Sequence, residues 1–160
     1  MNAPDPRITR ATAPDLATNP VAGSEARLAL PHWAQAYVGL PYIVGVGECG
    51  HRAALVWREV FGLTVEAAPA FGDLGAAQGL IKAALDGPTW TPVLVPAEGD
   101  AVVMWKGSLL AHVGVWVEPG LVLHCTRAEG MVLTPETALE ARGFRVAGRF
   151  RHVTAWAMAA

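Results

Sequence analysis

The chain has 160 residues, 52% of them hydrophobic and 16% charged, with twelve Lys and Arg against fourteen Asp and Glu. That length suits one domain with its own core, and the composition excludes a chain disordered throughout. The net charge of −2 lacks the cationic excess that phosphate binding needs, so no nucleic-acid partner is expected. The apolar residues are dispersed, and no run approaches the ~20 residues of a membrane span.

Residues 1–28 carry Pro4, Pro6, Pro14 and Pro20 without apolar periodicity and read as an extended or flexible arm. They contain no basic segment followed by an apolar core, so no secretory signal is expected. The folded domain is expected over 29–160. A short helix over Pro31–Tyr37 starts with Pro at its first position. A turn follows at Gly39–Tyr42, then a Gly-rich loop with Gly45 and Gly47. From Cys49 to Phe61 the spacing of Ala53, Val56, Trp57, Val60 and Phe61 predicts a helix closed by Gly62. A second helix is expected over Asp73–Leu85, before Asp86-Gly87-Pro88. Strands are then predicted at Val93–Val95, Ala101–Trp105, His112–Val117, Leu121–Cys125, Met131–Leu133 and Phe144–Phe150. Helices first and antiparallel strands second make an α+β fold, with N-terminal helices packed on a sheet.

Two cysteines, Cys49 and Cys125, are too few for a disulfide scaffold and fit synthesis in a reducing cytosol. Cys49 stands where the Gly-rich loop becomes a helix. There the unpaired N–H groups and positive end of the helix favour a thiolate. Packing in the core is the competing reading, since free Cys is among the most buried residue types. His112 begins one strand and His124 nearly ends the next, with Glu118-Pro119-Gly120 between them. A hairpin on that turn pairs His112 with 124 or 126 and puts both imidazoles on one face, within ~5–8 Å at Cβ. A one-residue slip would separate them. In the first register His124 orients His112, giving nucleophile, base and orienting group. Alternation sends Cys125 to the opposite face, as core. The same Cys and His residues contain zinc-ligand types, but none of the compact zinc spacings. His32 is expected to cap or flank a helix, and His152 to end a strand.

In order and spacing these residues resemble the NlpC-type cell-wall peptidases, a papain-like cysteine peptidase family, over about residues 33–152. The likeness is carried by Gly39–Tyr42, Glu48-Cys49, Trp57, Gly99-Asp100, the run from His112 to Val117, and His124. Val56–Gly62 and Arg149–His152 are similar to the phage-tail branch. The resemblance implies Cys49 as nucleophile, His112 as general base, His124 as the orienting polar group and Tyr42 beside the site. The Cys49 N–H would help hold the oxyanion. It implies no metal or other cofactor. The implied reaction is hydrolysis of a peptidoglycan stem-peptide amide, commonly after D-glutamate. The implied setting is a bacterial cytoplasm for synthesis and a phage or phage-like tail for assembly, with other tail, baseplate or hub proteins as partners.

The chain departs from the pattern at Gly50 and His51, where Ser-Gly or Trp-Gly is usual, and in its short loop before Cys49. His51 lies about 200° round the helix from Cys49 and does not serve as its base. Arg52, where an apolar residue is usual, is expected to pair with Glu48 one turn back. A structural tail protein that keeps the fold with weak or no catalysis is the alternative. Six Trp, low charge and the Pro-rich arm fit surface buried in an assembly. Arg145, Arg149 and Arg151 form a basic strand face for an acidic partner, or a solvated edge.

Overall fold

Glu48 and His51 start the first helix, α1 (Cys49–Phe61). They form a reciprocal capping box in which the Glu48 N–H donates to His51 Nδ1 at 3.4 Å. His51, unusual for the resembled family at this position, therefore has a local structural job. Gly62 ends α1 in the left-handed region at φ 64°, as its place in the sequence predicts. The helix buries Ala53, Val56 and Trp57, and the Trp57 indole donates to the Gly99 carbonyl at 2.8 Å. The second helix, α2 (Leu74–Asp86), is capped by Asp73, whose carboxylate accepts from the Ala76 N–H at 2.8 Å. None of its residues is fully buried.

These elements come from a computed structural model that describes residues 32–155. The arm expected over residues 1–28 lies outside the described residues. The strands are β1 (Trp90–Pro92), β2 (Ala101–Lys106), β3 (Leu109–Val117), β4 (Leu121–Thr126), β5 (Gly130–Pro135) and β6 (Phe144–His152). They form one antiparallel sheet in the order β1-β6-β2-β3-β4-β5. The architecture is α+β, helices followed by an antiparallel sheet.

Alternation along the strands gives the sheet two buried faces. Ala101, Val115, Val117, Leu123 and Cys125 pack with Ala53, Val56 and Trp57 of α1. Val102, Met104 and Val122 point the other way and pack with Leu139 and Phe144. Cys125 is 1% exposed, in the place its parity predicts.

Two boundaries differ from expectation. The helix predicted over Pro31–Tyr37 is a single 3-10 turn, Trp33–Ala36, capped by His32 Nδ1. The first strand is Trp90–Pro92 instead of Val93–Val95, because buried Trp90 packs on Trp57 and pairs with His152. Of the apolar run that predicted the strand, Val93 still donates to the Arg149 carbonyl at 2.9 Å, while Leu94 and Val95 turn out to solvent, 95% and 80% exposed. The basic face of β6 is also largely neutralised from within. Arg149 pairs with Glu136, Arg151 pairs with Asp100 at 2.8 Å, and Arg145 lies over the Trp105 ring.

Candidate active site

Cys49 is the first residue of α1 and is half-buried. The backbone N–H groups of Gly50 and of Val113, the residue after His112, favour the charged form of its sulfur. Cys49 and His112 line one cleft of about 210 Å3, together with Tyr42, Glu48, Lys106 and Arg127. The low thiol pKa expected from a helix N-terminus is not what this environment produces. Burial pushes the thiol up and the Glu48 charge adds to that, outweighing the two N–H donors and the Lys106 charge. A neutral thiol is the resting form.

His112 and His124 come together through the hairpin. In β3–β4, His124 pairs with Gly114, so the two histidines are diagonal neighbours on the Phe144 face of the sheet. Their rings lie at 82°, with His112 Nε2 2.8 Å from His124 Nδ1. His124 Nε2 lies 2.9 Å from the Thr134 hydroxyl on β5. Phe144 stacks on His112 at 4.3 Å between ring centroids, fixing the ring plane. Gly114 makes the pair possible, since a Cβ there would lie 2.7 Å from Val122 Cγ1 and 3.0 Å from His124 Cβ.

This chain of contacts accommodates a tautomer that leaves a base on His112. If His112 Nε2–H donates to His124 Nδ1, then His124 Nε2–H donates to Thr134, and His112 Nδ1 is left as the acceptor. The same arrangement holds when His112 carries a second proton, so protonation requires no ring flip. Burial holds His112 well below the ordinary histidine value, with the charges of His124 and Lys106 adding to it. Burial likewise holds His124 down, at about 4. Both are neutral at pH 7. A neutral thiol and a neutral imidazole thus line one cleft, the resting protonation states that general-base activation of a thiol would start from.

The rest of the cleft is organised by Glu48. Its buried carboxylate accepts from the Ala70 N–H at 2.7 Å and the Gly72 N–H at 2.6 Å, and these bonds hold its pKa down against burial. Between those anchors Phe71 is held at φ 54° with its ring 70% exposed. A positive φ is a strained conformation for a bulky side chain, and such strain concentrates at functional sites. Tyr42, half-buried, lies under the Arg127 guanidinium, which donates to the Gly72 carbonyl at 3.0 Å. Arg52 does not pair with Glu48. It donates to the Pro41 carbonyl through Nε at 3.1 Å and Nη2 at 2.6 Å, because Glu48 is already engaged by the 70–72 loop. Arg52 thus ties the Gly39–Tyr42 turn to α1.

Sequence reasoning missed Thr134, Phe144, Phe71 and Lys106. The alternation of β5 was legible, but its register on β4 was not, and Thr134 reaches His124 only through that register. Among the described residues no group of three or more His, Cys, Asp or Glu is placed to hold a metal ion, and no helix is long and apolar enough to cross a membrane.

No protein-family model and no curated protein matches the chain. A solved structure that is similar is the NlpC/p60 domain of the peptidoglycan hydrolase SagA, at 16% identity and a TM-score of 0.48. The match covers 74% of this chain and 92% of that domain.

Proposed function

We propose that this chain is a cysteine peptidase that hydrolyses amide bonds of the peptidoglycan stem peptide as a tail-tip component of a phage or phage-like particle. The observation that carries the chemistry is the His112–His124–Thr134 chain, ending in one cleft with Cys49. Peptidoglycan as substrate and the tail as setting rest on the motif resemblance from Gly39 to His152.

His112 Nδ1 takes the Cys49 proton as the sulfur attacks the carbonyl. The Nε2–H bond to His124 stabilises the imidazolium that forms. The Cys49 N–H, at the start of α1, faces the developing oxyanion. The imidazolium then protonates the leaving amine, and the acyl-enzyme is released to water activated by His112. Tyr42 and Phe71 flank the substrate.

Digestion of purified peptidoglycan tests this. Cys49→Ala and His112→Ala should each abolish release of stem-peptide fragments with the fold retained. Undiminished digestion by Cys49→Ala overturns the mechanism. A tail or baseplate protein with weak or no catalysis is the second reading, favoured by Leu94 and Val95, which lie bare on the surface. Particles carrying Cys49→Ala that assemble but enter cells poorly support the enzyme, whereas loss of assembly supports the structural role.

A further inference from the structure

Four charged side chains line the cleft beside Cys49 and His112, and three have their polar atoms engaged. Glu48 accepts from the N–H groups of Ala70 and Gly72, Asp73 caps α2 through the Ala76 N–H, and Arg127 donates to the Gly72 carbonyl. Lys106 differs. It ends β2 half-buried, with its ammonium 5.6 Å from the centroid of the Phe144 ring that stacks on His112. Among the described residues no carboxylate lies within ion-pair distance of it. An ammonium has three donors, and a ring face satisfies none of them as a hydrogen-bond acceptor. Its charge reaches both Cys49 and His112, lowering the pKa of each.

We infer that Lys106 is a specificity-determining residue that binds a free carboxylate carried by the substrate next to the scissile amide. This rests on the reading of Cys49 as the nucleophile and adds to it the charge that the substrate must bring. A carboxylate placed there supplies the missing acceptor inside a partly desolvated cleft, where a charge-assisted bond is strongest. It also holds the carbonyl against Cys49, so removing it should weaken productive binding.

Iodoacetate and iodoacetamide test this without peptidoglycan. They alkylate a thiol by the same displacement of iodide and differ in carrying a carboxylate or a neutral amide. The rates are read on the Cys49 peptide by mass spectrometry, which keeps Cys125 separate. In Lys106→Met the iodoacetate-to-iodoacetamide rate ratio should fall by about tenfold, the effect of one charge-assisted hydrogen bond. Lys106→Arg should keep the ratio and Lys106→Glu should lower it further. A changed thiol pKa slows both reagents equally and cancels in the ratio. If Lys106→Met slows both equally, Lys106 only tunes the thiol and the inference is overturned while the nucleophile stands. If Cys49 is inert to both reagents, the nucleophile reading and the inference fall together. A stem-peptide substrate with that carboxylate amidated should then lose less cleavage on Lys106→Met than the free-carboxylate substrate loses.

Discussion

Thr134 is the residue on which the orientation of the histidine pair ends. Its hydroxyl lies 2.9 Å from His124 Nε2 in a site where both groups are buried. In the tautomer that leaves His112 Nδ1 as the base, the hydroxyl accepts from the His124 Nε2–H, and Thr134→Val leaves that N–H without a partner. An unsatisfied buried donor costs about 1–3 kcal/mol. The variant should lose stability in that range, and kcat for peptidoglycan digestion should fall with KM little changed. Thr134→Ser restores both if orientation is the cause. Recovery of stability without recovery of kcat would separate the hydroxyl from the chemistry. Cys49, His112 and His124 were legible as candidates because their residue types and spacing are chemical information. Thr134 was not, since a strand threonine is common and acquires a role only from its partner.

At the scale of elements, the β3–β4 hairpin and the 70–72 loop each rest on one backbone feature. Gly114 lies opposite His124 where no Cβ fits against Val122, His124 and the Leu123 carbonyl. Gly114→Ala should push the hairpin apart and destabilise the protein by about 1–3 kcal/mol, read by denaturant unfolding. Loss of digestion should exceed what unfolding explains. Phe71 predicts the opposite balance. Its left-handed backbone is held by the Glu48 carboxylate and costs ~1–2 kcal/mol, a cost that glycine avoids while losing ~0.5–1 kcal/mol in chain entropy. Phe71→Gly should therefore leave the unfolding midpoint unchanged or raised while KM rises. A fall in stability with KM unchanged would make Phe71 a packing residue. Both helices around the cleft were readable from apolar period and caps. The pairing of Arg52 was not, because its i,i+4 partner Glu48 is claimed by a loop more than twenty residues away in sequence.

For the whole molecule, the buried histidines link stability to pH. His124 is held at about 4 in the fold against an ordinary 6.5, and His112 and His152 are shifted in the same direction, all mainly by burial. Each is a base whose folded pKa lies below its unfolded one. Below pH 6.5 the unfolded chain therefore binds protons that the native state refuses. Stability is fully present above about pH 6.5 and declines as pH falls toward 4. Urea unfolding across that window should show the decline, and His124→Gln should make it shallower. A stability independent of pH from 7 to 4 would mean the histidines are hydrated in solution.

By itself, the amino-acid order determined the class of fold, both helices around the cleft, the burial of Cys125, and the shared face of His112 and His124. These follow from period, caps and strand alternation, which are local or need only one short turn. Tertiary structure decided the order of the sheet, which places β1 beside β6, and the register that brings Thr134 to His124. It also decided the neutral state of Cys49 and His112 and the partners of Arg149 and Arg151. Those depend on desolvation and on contacts between distant segments, and neither is written in the spacing of residues along the chain.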